Sequence, residues 1–198
     1  MPGRTRTARA LLALALVTLV VLSRAAPAGA DPARPTNYRS TVLRAHPRLP
    51  QGVQARVVGG DAFLELQVAH GHRVVVPDYE GGEGTTTAPY LRFLPDGTVE
   101  RNRNAVATTA NQTRYGSTSR SPDPTAAPSW ERVATGGRYA WHDHRIHWMA
   151  PRAPQQAAHG GRVDLGGPAG AWEVALVVDG HRTTLIGELV RVPPPSPV

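Results

Sequence analysis

Between Asp31 and Val198 no window of eleven or more residues carries a convincing 3.6-residue apolar stripe. Instead, short runs of Val, Leu, Ile and Phe stand between Gly- and Pro-containing breakers every 8–12 residues. A helix interior tolerates neither Pro, which lacks the N–H and clashes with the preceding turn, nor repeated Gly, which loses too much backbone entropy. Twenty Gly and nineteen Pro therefore work against helices. Such spacing predicts an all-β chain, with an Ig-like β-sandwich as the expected architecture and a related β-barrel as second choice.

The individual runs support this. Tyr38–Leu43 reads as a strand closed by His46-Pro47, and Val53–Val58 as one stopped by Gly59-Gly60. Phe63–Val68 alternates with period two, placing Leu64, Leu66 and Val68 on one face and Phe63, Glu65 and Gln67 on the other, the mark of a half-buried strand. Arg73–Val76 ends at Pro77. Leu91–Phe93 and Thr98–Asn102 flank Pro95-Asp96-Gly97, and Trp172–Val178 and His181–Val192 flank Asp179-Gly180. Both linkers have hairpin chemistry: in Leu94-Pro95-Asp96-Gly97 the Pro presets a turn-ready φ and the Gly is permissive, and Asp179-Gly180 accepts the positive φ that a two-residue turn demands. Two long polar stretches, Gln112 to Ser129 and Ala150 to Ala171, remain as loops. There is no internal repeat.

The start of the chain reads as an address. Arg4, Arg6 and Arg9 precede a twelve-residue apolar core, Leu11–Leu22, and Ala28-Gly29-Ala30 supplies the small residues of a cleavage site. Twelve residues fall short of the about 20 needed to cross a membrane as a helix. The expected organisation is a cleaved signal over residues 1–30, a linker over 31–37, one β domain over 38–192, and a Pro-rich tail over 193–198. Retention of the signal as an anchor is the alternative, and the only route to membrane association. The expected location is secreted, or the extracytoplasmic face of the cell envelope.

All 22 basic residues are Arg, and the chain has no Cys. That excludes disulfides, thiolate nucleophiles, Cys-ligated metals, Lys Schiff bases and a P-loop. Cleavage after Ala30 removes four Arg and no acid, so 18 Arg face 15 acids and the net charge drops from +7 to +3. With no dense basic cluster, nucleic acid is not an expected partner.

Arg138–Met149, RYAWHDHRIHWM, concentrates chemistry. It holds three of the eight His, two of the four Trp, and the one Met that follows the signal. If the segment stays extended, His142 and His144 share a face about 6–7 Å apart. Imidazoles at i, i+2 can hold one metal, His147 joining only through a bend. Imidazole suits Zn and Cu, while the thioether of Met149 would favour Cu(I). The competing expectation is a central strand with its Trp rings in the core and Asp143 paired with Arg145 or holding an imidazole. Acid–base catalysis is a third reading.

Other patterns carry less. His142-x-His144-x-x-His147 lies one residue from the H-x-H-x-D-H signature of metallo-β-lactamase-like hydrolases, but Ile146 replaces the acid and the helices of that fold are missing. H-E-x-x-H and G-x-S-x-G are absent, and no carboxylate pair stands out. His70-Gly71-His72 forms a second H-x-H on a turn, which would meet the first if that turn lay beside it. Asp78, Glu80 and Glu83 form an acidic loop without calcium-loop spacing.

Several stretches carry a resemblance: Asn37–Ser40, Arg56–Asp61, Pro89–Phe93, Arg114-Tyr115-Gly116, Arg138–Met149, Val177–Gly180, Gly187-x-Leu189 and Val192–Pro195. Together they resemble a group of uncharacterised secreted or membrane-anchored proteins of actinobacteria. The WHDHRIHW string is the most specific of them. Members of that group commonly continue into a C-terminal transmembrane helix. The sequence ends at Val198, so the expectation is a protein without that anchor. A looser similarity is to CopC-type copper carriers, small Ig-like sandwiches behind a signal peptide. Their N-terminal His ligand has no counterpart at Asp31, so the similarity bears on fold more than on metal. The function expected from the sequence is a non-enzymatic binding or structural module acting on an envelope protein or ligand, without a required cofactor. Copper or zinc binding through His142, His144, His147 and Met149 is the alternative, and a hydrolytic enzyme the third.

Overall fold

The computed structural model describes residues 36–79, 89–115 and 126–193. The expected signal segment over residues 1–30, most of the expected linker, Glu80, Glu83 and the end of the Pro-rich tail lie outside them. The described residues form eleven strands: β1 (Tyr38–His46), β2 (Val53–Val58), β3 (Phe63–Val68), β4 (Val74–Val76), β5 (Leu91–Phe93), β6 (Val99–Asn102), β7 (Trp130–Ala134), β8 (Arg138–Trp141), β9 (Gly161–Val163), β10 (Trp172–Val178) and β11 (His181–Arg191). One short helix, α1 (Val106–Ala110), and 3-10 turns at His144–Ile146, Gln155–Ala157 and Pro168–Gly170 complete them. The chain is all-β, as its punctuation predicts.

All strand pairs are antiparallel. The larger sheet runs β1-β11-β10-β4-β5-β6-β7, with β9 alongside the end of β11; the smaller runs β2-β3-β8. Neither sheet closes on itself, which removes the barrel alternative. Both expected hairpins form. Leu91 pairs with Arg101 and Phe93 with Val99 around a turn containing Gly97 at φ +81°. Val178 pairs with His181 across Asp179 and Gly180, at φ +50° and +85°. Consecutive positive φ is the geometry that matches a two-residue turn to the strands' twist.

One hydrophobic core joins the sheets. Leu64, Leu66 and Val68 of β3 and Trp141 of β8 pack with Val74, Val76, Leu91, Phe93, Val99, Val174, Leu176 and Leu185 of the larger sheet. Each fully buried aliphatic side chain there contributes about 1.5–3 kcal/mol. A satellite cluster of Ala157, Val163 and Leu189 sits under β9. Gly187 shows how tightly β10 and β11 are matched. It is the register partner of Trp172, and a Cβ there would lie 2.1 Å from the indole and 2.3 Å from the Thr41 carbonyl oxygen.

Three local expectations change. Glu65, on the polar face of β3, is also buried, because Arg56 and Arg138 from the flanking strands close over its carboxylate at 2.6 and 3.1 Å. Trp130–Ala134, not anticipated as a strand, extends β6 through the Arg101–Glu131 ion pair and the Arg92 guanidinium 4.0 Å over the Trp130 ring. The His-rich segment is neither central nor extended: β8 is an edge strand and stops at Trp141. Among the described residues no helix is long and apolar enough to cross a membrane.

Candidate metal centre

The end of β8 follows from a single carboxylate. Asp143, fully buried, accepts hydrogen bonds from Trp141 Nε1 (2.8 Å), from the Arg145 backbone N–H (3.1 Å), and from Arg145 Nε and Nη2 (2.8 and 2.7 Å). The backbone bond caps the 3-10 turn His144–Ile146, whose Ile146 N–H donates to the Asp143 carbonyl. Ile146 and Trp141 are buried on either side of the turn and anchor it to the core. Burial opposes charge on both members of the pair, but the adjacent guanidinium outweighs it and holds the Asp143 carboxyl below its ordinary range.

This turn supplies the bend that an extended segment lacks, and it brings His147 to His142 and His144. One ring nitrogen from each lies within 4.8 Å of the other two. Ring centroids are 5.4 Å apart for His142–His144, 4.6 Å for His142–His147 and 5.4 Å for His144–His147, and each pair of planes is near perpendicular, at 83°, 81° and 86°. His142 Nε2 and His147 Nε2 stand 2.6 Å apart.

The outer nitrogens decide the tautomers. His144 Nε2 faces the Thr113 carbonyl at 2.8 Å, and His147 Nδ1 faces the Trp148 carbonyl at 3.2 Å. A carbonyl only accepts, so both nitrogens carry hydrogen. That leaves lone pairs on His144 Nδ1 and His147 Nε2, with His142 Nε2–H donating to His147. Burial, then the neighbouring imidazole, lowers the pKa of His142 to about 4 and that of His147 to about 3; burial lowers that of His144 as well. All three rings are neutral at pH 7.

The walls come from distant elements. Phe63 meets His142 edge-on, with centroids 6.2 Å apart, and Tyr79 stacks on His144 at 6.3 Å. The Tyr79 hydroxyl donates to Asn111 Oδ1 and accepts from the His144 backbone N–H at 3.0 Å. Burial raises the Tyr79 pKa well above its ordinary value, so the hydroxyl keeps its hydrogen. Beside the cluster, buried Asp61 pairs with Arg114 and accepts from Thr36 Oγ1 at 2.6 Å.

Three of the four residues singled out as metal ligands, His142, His144 and His147, thus converge. The fourth, Met149, is half-buried two residues beyond His147 in the chain. The second H-x-H is elsewhere: His72 Nδ1 pairs with Asp179 at 2.7 Å, and His70 is exposed near Gly97. Asp78 has a structural role, its carboxylate accepting the first N–H groups of α1 from Val106 and Ala107. Sequence reasoning missed Tyr79, Asn111 and Thr113. Asp61 and Arg114 fall within the RVVGGD and RYG stretches, but nothing in either string pairs them.

No protein-family model, curated protein or solved structure matches the chain.

Proposed function

We propose that this chain is an exported, Ig-like β-sandwich binding module whose ligand is a single copper or zinc ion held by His142, His144 and His147. The observation that carries the reading is the convergence of three neutral imidazoles, two of them with the outer N–H fixed on a backbone carbonyl. Metal-ligating His almost always has such an outer partner, which orients the ring and sets the tautomer. Export rests on the tripartite segment over residues 1–30, and the sandwich on two antiparallel sheets sharing one core.

The donor set has to contract around an ion, because nitrogens up to 4.8 Å apart must close by roughly 1.5 Å. Two nitrogens about 2.0–2.1 Å from a tetrahedral Zn(II) sit roughly 3.3 Å apart, and two at a right angle on Cu(II) roughly 2.9 Å apart. The 2.6 Å between His142 and His147 must open by a few tenths of an ångström. The hydrogen between these nitrogens has to leave, moving to His142 Nδ1. A three-imidazole donor set favours Zn(II) or Cu(II) over Cu(I). The two buried carboxylates at the site are both held in ion pairs, Asp61 by Arg114 and Asp143 by Arg145.

Calorimetric titration of tag-free protein, after chelation, with Zn(II) and Cu(II) tests the reading. Binding at a 1:1 ratio with Kd below about 1 µM, lost in His142→Ala and His147→Ala variants that retain the wild-type β spectrum, is the expected result. Absence of binding in that range, or equal binding by the variants, overturns it.

A further inference from the structure

A cleft of about 230 Å³ opens between Thr36, Tyr38, Arg114, Tyr115, Pro151 and Arg191. Its charge is unbalanced. Arg114 is paired with the buried Asp61, whereas Arg191 has no carboxylate within ion-pair distance among the described residues. Arg191 is nonetheless held in place: its Nη1 donates to the carbonyls of Ala157 and Ala158, on the turn beneath β9. Tyr38 is its register partner across β1 and β11, so a phenol and a guanidinium stand side by side in the wall. The rest of the lining mixes polar Thr36 and Asn37 with the Tyr115 ring, Pro151, Ala150 and Ala153.

We propose that this cleft binds a small carboxylate with an apolar, ring-like body. A guanidinium with no carboxylate partner among the described residues calls for one negative charge, and with Nη1 held by the Ala157 and Ala158 carbonyls its Nε and Nη2 side is the edge left to meet a carboxylate. The phenols and Pro151 offer faces for an apolar body. Drug-sized ligands take pockets of about 300–1,000 Å³, so a cleft this small admits roughly one ring. Pre-fixing Arg191 on two carbonyls lowers the ordering cost of binding. None of the three imidazoles lines the cleft, although Arg114 stands between it and the His cluster.

The test titrates chelator-treated protein with benzoate, benzamide and inorganic phosphate, followed by NMR shifts of the Tyr38 and Arg191 amides. Benzamide has the same ring and no charge; phosphate has the charge and no ring. The expected result is saturable benzoate binding, with benzamide and phosphate each weaker by at least about tenfold. Arg191→Gln should weaken benzoate by a similar factor, and Arg191→Lys, which keeps charge but not the fork, by less. Benzoate and benzamide binding alike, phosphate binding tighter than benzoate, or undiminished benzoate binding in folded Arg191→Gln overturns the proposal. If Arg191→Gln does not fold, the three-ligand contrast in wild type decides the matter alone.

Discussion

Replacing Asp143 by Ala tests whether one carboxylate holds both the turn and the histidines. It removes every acceptor that Trp141 Nε1, the Arg145 guanidinium and the turn's backbone N–H use. Breaking a buried ion pair from one side costs about 3–5 kcal/mol, chiefly because the remaining charge is stranded. The Arg145 side chain keeps 21% of its exposure, so water recovers part of that and the low end applies. The orphaned indole N–H and the lost cap each cost about 1 kcal/mol, partly overlapping with the pair. The expected loss is therefore about 3–4 kcal/mol. For a domain of this size each kcal/mol shifts Tm by about 2–4 °C, so Tm falls by roughly 6–16 °C. Urea melts of wild type and Asp143→Ala measure the loss directly. A double variant, Asp143→Leu with Arg145→Met, strands no charge and should recover most of it, because apolar replacement of a buried pair is often neutral. A single variant within 1 kcal/mol of wild type, or a double variant no better than the single, would refute the reasoning.

Three further outcomes are expected. The folded-state pKa values of His142 and His147, about 4 and about 3, lie below the unfolded value near 6.5, so the stability they contribute is complete above pH 6.5 and is lost as pH falls toward 4. Each imidazole adds a slope of about 1.4 kcal/mol per pH unit in that window; urea melts at pH 7, 6 and 5 that superimpose would contradict their neutrality. Gly187→Ala drives a methyl into the Trp172 indole and the Thr41 carbonyl, and should cost about 1–3 kcal/mol or more in a thermal melt, against less than 0.5 kcal/mol for a change at an exposed position. Intact-mass measurement of exported protein should find a chain beginning at Asp31, and a mass that retains Met1–Ala30 would instead make the segment an anchor.

The strands were legible where their stops are local. Val53–Val58, Phe63–Val68, Leu91–Phe93 and Trp172–Val178 begin and end where their flanking Gly, Pro and Asp-Gly residues place them. Elements stabilised from a distance were not legible. Helix α1 has Ala105 at its N-cap position and no side-chain cap of its own; the groups that satisfy its first N–H donors belong to Asp78, 28 and 29 residues away. Strand β7 depends on Glu131 meeting Arg101 and on Trp130 receiving Arg92, partners that only the folded sheet assembles. Strand β9 is three residues long and pairs only with the end of β11.

The candidate metal centre divides in the same way. Its ligand types, and the Asp143–Arg145 pair that bends the chain, lie within one six-residue string, so the string itself drew attention to the site. What turns three nearby imidazoles into a usable donor set does not lie there. Thr113 acts through its backbone carbonyl, and any residue but one with a displaced backbone would offer the same oxygen. Tyr79 and Asn111 act through a hydroxyl and an amide brought from β4's exit and α1's end, 65 and 33 residues from His144. Residue types announce ligands, whereas outer hydrogen bonds are set by tertiary register, and the latter select the tautomer on which metal affinity depends. Two consequences separate the levels. Thr113→Ala should leave metal binding nearly unchanged, because the carbonyl stays. Tyr79→Phe should loosen the His144 backbone and weaken binding while all three ligands remain. Equal losses in the two variants would mean that the outer shell does not hold the rings as described.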